Sequence, residues 1–256
     1  MRKAYVLTGL VLALILVVAG SAQARVWVGA QIGGNFAANT DVENNTPGFN
    51  LIFRNVKVEP SVIGGLTIGY DFVREGFLGY NYPDWMKYFS FATDFTFNRF
   101  DMREQFGNLT VNGTPDVGFF PGWPIGPTGT RVEGTMAVWS FLFIGKYGFF
   151  PDSEVPFGRL QPYVAVGPGI MFSSLRGKMF FPVEEALRDV GDSSVDIALV
   201  TEAGVRFMAL RNVSLDVSFR YRFGSPSYSF SASGIPMTVK LDANQFNAIF
   251  RASYHF

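Results

Sequence analysis

Eight stretches of the chain alternate between apolar and polar residues, a period of two that a β-strand satisfies and a helix does not. The clearest places Phe89, Phe91, Thr93, Phe95 and Phe97 on one face and Ser90, Ala92, Asp94, Thr96 and Asn98 on the other. Further runs cover residues 26–35, 61–72, 137–147, 163–172, 196–207, 213–223 and 245–256. In the run at 137–147 the second face (Val138, Ser140, Leu142, Ile144, Lys146) is itself largely apolar. Pro168 interrupts the fifth run, and its missing N–H predicts a bulge or local distortion there.

The two faces differ in kind. One is wide and aromatic; the other mixes Gly, Ser and charges of both signs. Aromatics and charged residues each make up 16% of the chain, so charge is too sparse for the exterior of a soluble sandwich. The pattern predicts an all-β fold: a closed antiparallel up-and-down transmembrane β-barrel with lipid outside and a polar interior. Closure is required because a sheet edge in lipid leaves backbone groups unpaired. Eight strands are expected, with ten as the less favoured count. Tyr70, Phe72, Tyr221, Phe223, Tyr254 and Phe256 fall at run ends, as interfacial girdles require. Residues 37–60, 101–133, 174–193 and 224–239 are expected as long extracellular loops.

Residues 1–24 read as a cleaved secretory signal peptide: Arg2 and Lys3, an apolar run from Val6 to Ala19, and the small-x-small site Ala22-Gln23-Ala24. The barrel is expected to occupy 25–256. Twenty-one bases balance twenty-one acids, which argues against a nucleic-acid partner. With no Cys and one His, disulfides, thiolate metal centres and multi-His sites are excluded. No cofactor, metal site or catalytic residue is expected. Asp41, Glu43, Asn44 and Asn45 match no calcium-loop spacing and read as solvated loop.

The order of these signals resembles the small bacterial outer-membrane β-barrels of the OmpA-like transmembrane-domain type. The resemblance is carried by the small-x-small site, by Gln161-Pro162-Tyr163-Val164-Ala165-Val166-Gly167, by Phe219-Arg220-Tyr221-Arg222-Phe223 and by Arg251-Ala252-Ser253-Tyr254-His255-Phe256. It implies residence in the bacterial outer membrane among its lipids and lipopolysaccharide. It also implies that Tyr254 and Phe256 form the signal read by the outer-membrane insertion machinery. No separate peptidoglycan-binding domain is expected in this length.

Turning the polar faces inward places Asp71, Asp94, Asp196, Glu202 and Asp216 in the lumen with Lys146, Arg206, Arg220, Arg222 and Arg251. A three-residue loop Leu210-Arg211-Asn212, with Asn212 left-handed, sets Ala209 against Val213. That register puts Arg206 opposite Asp216 and Glu202 opposite Arg220, predicting salt bridges that plug the lumen. The expected function is non-enzymatic: a structural or surface-binding protein acting through its loops on an unidentified extracellular ligand. Phe119, Phe120 and Trp123 form a candidate aromatic contact cluster in one loop. A small porin-like channel is the alternative. A lipid-acting hydrolase built on Ser253 and His255, with Asp71 as orienter, is a third and less favoured reading.

Overall fold

The computed structural model describes residues 25–46, 49–73, 81–102, 108–111, 132–181, 186–232 and 235–256. The segment read as a signal, and the loop cluster Phe119, Phe120 and Trp123, lie outside them. The strands are β1 (Arg25–Ala37), β2 (Thr40–Thr46), β3 (Phe49–Val56), β4 (Ser61–Asp71), β5 (Phe89–Met102), β6 (Asn108–Val111), β7 (Val132–Lys146), β8 (Leu160–Phe181), β9 (Ala186–Leu210), β10 (Val213–Gly224), β11 (Ser227–Ala232), β12 (Ile235–Leu241) and β13 (Ala243–His255). A 3-10 turn, Asp84–Tyr88, precedes β5.

Eight of these strands close in the order β1-β13-β10-β9-β8-β7-β5-β4, and β4 pairs back onto β1. All pairings are antiparallel, so the barrel wall has no free edge in the membrane. The expected count of eight holds. The apolar faces point outward: Val62, Leu66, Phe143 and Val217 are 62–68% exposed, the inverse of a soluble core. Trp139 turns its indole toward lipid, and its N–H is satisfied by donation to Thr93 Oγ1 at 2.7 Å. Ring pairs at strand ends, Tyr70–Phe72 and Tyr254–Phe256, sit where the girdle was expected. The doubtful run in β7 resolves with Val138, Ser140, Leu142, Ile144 and Lys146 inside.

The stretches expected as long loops are built differently. Residues 174–193 lie mostly within β8 and β9, which pair continuously up to Phe181↔Ala186. Much of 37–60 and 224–239 forms strands of a second, five-stranded sheet ordered β11-β12-β2-β3-β6. This order copies that of the barrel strands they adjoin in sequence, β10-β13-β1-β4-β5. The wall therefore continues upward after a short break in each strand. Asp41, Glu43, Asn44 and Asn45 lie in β2, not in a loop.

Of the two outcomes expected at Pro168, the structure shows the local distortion and not the bulge: Ser140 pairs with Gly169 and Phe143 with Val166, the same register on both sides. Only the pairs at Phe141 and Leu142 drop out of the ladder, while Pro168 still lies opposite Leu199 on β9. The distortion is an interruption without insertion. In the β9–β10 hairpin, Leu210 pairs with Val213 and Met208 with Ser214, so the extra residue, Ala209, is absorbed as a bulge beside a two-residue turn. Asn212 is not left-handed, because Phe150 alone among the described non-glycine residues has positive φ. The bulge restores the register that the three-residue loop was expected to supply.

The 148–160 connection is pinned to the barrel base. Arg159 forms ion pairs with Asp152 and with Glu154 (2.6 Å), and donates to the Met208 and Ala209 carbonyls. The Val155 amide, then the Arg159 guanidinium and the Glu154 amide, hold the Asp152 carboxyl below its ordinary range. A lowered folded-state pKa gives a contribution present above the unfolded value and lost as pH falls through the folded one. Amide-exchange protection of Glu154 and Val155 should thus persist through the usual carboxylate range and fall only below it. Arg159→Ala should move that fall to higher pH.

Candidate functional site

Alternation sends every second residue of each barrel strand into a lumen just wide enough for side chains to fill. Nine of the ten charges expected inside are there, each no more than 9% exposed. At the centre the Arg220 guanidinium meets Asp94 and Glu202, each at 2.5 Å. Arg220 starts on β10 and reaches β5 on the far wall, so it bars the lumen. Glu202 also pairs with Arg251 at 3.1 Å and accepts from the Tyr163 hydroxyl at 2.7 Å. Gln31 ties the layer together, accepting from Arg251 (3.0 Å) and donating to Asp94 (3.0 Å). Below, Arg206 pairs with Asp216 at 3.1 Å, and Lys146 with Asp71 at 2.6 Å. Asp216↔Arg206 and Arg220↔Glu202 are directly opposed, as the sequence register required. Such a network resists disruption because every member is desolvated and removal of one strands its partners.

Asp196 does not join the plug. It lies opposite Met171 near the middle of β9, just beyond Leu199 where pairing with β10 ends, is partly exposed, and accepts from Ser194 at 2.5 Å. The expected balance of five acids and five bases therefore fails. Arg222 is fully buried with no carboxylate partner among the described residues; it donates to Thr96 (3.2 Å) and Asn98 (3.0 Å) across the lumen.

Ser253 and His255 both point inward but do not pair. His255 Nε2 lies 3.0 Å from Ser214 Oγ, and its Nδ1 is 3.9 Å from Asp71 Oδ2. Ser214 is fully buried and also donates to Asp216, so the hydroxyl facing His255 belongs to the interior hydrogen-bond network. Ser253 Oγ has no partner among the described residues.

Sequence reasoning missed Trp27, Gln31 and Tyr163. Trp27 is fully buried, with Arg206 4.5 Å above its ring. Its odd number places it on the same face as Gln31, which the first run already displayed. Sequence reasoning also missed an apolar layer above the charges. Phe100, Met102, Met136, Val138, Met171, Leu175 and Val200 from barrel strands pack with Tyr228, Val239 and Leu241 from the second sheet. None is more than 8% exposed. Beside it, β9 and β10 stop pairing at Leu199↔Phe223. The seam between β9 and β11 is then held by side chains, with Ser227 and Ser229 donating their amides to Ser194 and Asp192.

An inverted, closed, eight-stranded wall around a charged interior defines an integral β-barrel of the bacterial outer membrane. The chain belongs to the outer membrane protein beta-barrel domain family, which it matches over residues 10–256. Among solved structures it is similar to the outer membrane protein OprG from Pseudomonas aeruginosa (13% identity, 91% of this chain and 96% of that one, TM-score 0.49). It is also similar to Neisserial surface protein A (11%, 90% and 97%, TM-score 0.42) and to the Escherichia coli outer membrane protease OmpT (10%, 93% and 99%, TM-score 0.43). No curated protein matches.

Proposed function

We propose that this is a non-enzymatic surface protein whose barrel is an anchor and whose binding surface is the wall carried above the membrane. The observation that supports it is the doubly blocked lumen. A layer of crossing ion pairs, in which an Arg220–Asp94 contact of 2.5 Å joins opposite walls, is overlain by a packed apolar layer. A filled lumen argues against a transport role and favours the extracellular extension as the surface that meets a partner.

Single-channel recording of the refolded protein in a planar bilayer tests the anchor reading. Wild type should be silent. Glu202→Ala should be silent too, because the Arg220–Asp94 bar and the apolar layer persist. Reproducible steps in the wild type would make the protein a pore and overturn the proposal.

A further inference from the structure

The barrel's lower end, where the β9–β10 turn lies, holds a cavity of about 360 Å³ whose floor is the lowest layer of the lumen charges. Short turns mark the periplasmic side of such barrels. We infer that this cavity is a binding site for a small aromatic carboxylate.

The floor of the cavity is held in place and already satisfied. Lys146 is locked on Asp71 at 2.6 Å, Ser90 donates to the same carboxylate at 2.6 Å, and His255 is held by Ser214. Gln161 donates to the Gly158 carbonyl at 2.8 Å. These groups cost nothing further to order when a ligand arrives, which favours binding.

The walls are aromatic. Tyr88 and Tyr147 stack with their planes 4° apart and centroids 5.7 Å apart, and Phe157 leans on Tyr88 at 5.8 Å. Phe72 completes the lining on the β4 side. Flat apolar walls with a few fixed polar groups are the usual make-up of a small-molecule site, and this volume lies near the lower end of the range, roughly 300–1,000 Å³, so a one-ring ligand suits it.

Charge selects the sign. The lining carries two ammonium groups against one carboxylate, and that carboxylate is engaged with Lys146, with Arg206 and His255 also within 3.9 Å. Among the described lining residues Lys87 is the cation left over. It is exposed at the rim, 5.2 Å above the Tyr88 ring, with no carboxylate partner among the described residues. A ring lodged against Tyr88 and Phe157 would bring a carboxylate on a short arm to Lys87. Among the described lining residues there is no arginine to offer a guanidinium fork to a phosphate, so a single carboxylate is the better match for Lys87.

The test titrates 3-phenylpropionate, with 3-phenylpropanol as its neutral analogue, against the full barrel in phosphatidylcholine nanodiscs. Binding is read from the NMR signals of Tyr88, Tyr147 and Phe157. The acid should saturate the wild type. Lys87→Gln should weaken the acid about tenfold, the loss of one charge-assisted hydrogen bond, and leave the alcohol unchanged. Tyr88→Ala should weaken both. Lys87 is exposed, so its variant should keep heat-modifiable mobility on gels as a check of folding. Equal affinity of the acid for wild type and Lys87→Gln, or a response that grows with lipid and never saturates, would overturn the site.

Discussion

Glu202→Ala should lower the stability of the lipid-embedded barrel by about 3–5 kcal/mol, the range for removing one partner of a buried ion pair. Its carboxylate is the shared acceptor of Arg220, Arg251 and Tyr163, and all four groups are at most 6% exposed. Removal leaves Arg251 with Gln31 and a distant Asp216 (3.9 Å), and Arg220 with Asp94 alone. Neither guanidinium can reach water. Glu202→Gln keeps an acceptor for Tyr163 but not the charge, so it should cost less than alanine. Urea unfolding in lipid vesicles, followed by heat-modifiable mobility, reads both. A midpoint for Glu202→Ala equal to that of the wild type would mean that the network adds nothing to stability.

Gly69→Val should be nearly as damaging, at about 3 kcal/mol, the upper end for overpacking a filled interior. A Cβ at Gly69 would sit 2.1 Å from Trp27 Cε2. The indole has nowhere to turn, with Arg206 4.5 Å over one face and His255 6.1 Å from its centroid. Pairing Gly69→Val with Trp27→Leu should recover part of the loss. A double-mutant cycle on the same unfolding assay separates this coupling from the cost of losing Trp27. Additive losses would show that the two residues do not compete for one space.

Much of the barrel was legible because lipid leaves few solutions. Eight alternating runs, turned apolar side out, give closure, and parity alone places Asp94, Glu202 and Arg220 inside. The Arg206–Asp216 and Glu202–Arg220 pairs followed from parity plus a short turn. They held even though the turn differed, because the Ala209 bulge and the expected left-handed Asn212 absorb the same one residue. The second sheet was not legible. Its strands are short, and runs such as Thr40–Thr46 are polar, so periodicity in them is faint. The apolar layer was hidden for another reason. Val138, Met171 and Val200 occupy inward positions where a polar residue is expected, and only knowledge of the strands above explains what they pack against. Asp196 failed because parity fixes the face of a residue and not its height.

The lengths of β8 and β9 carry a consequence for whatever approaches from outside. β9 has 25 residues; at about 3.3 Å per residue and a tilt near 40°, that is roughly 60 Å along the membrane normal. The apolar band of such a barrel is only about 25 Å tall. The β8–β9 hairpin therefore acts as a mast, rising tens of ångströms clear of the bilayer. Under the surface-binding function proposed above, a partner the size of a folded domain would dock near its top without touching lipid, and its affinity should not change when the surrounding lipid is exchanged.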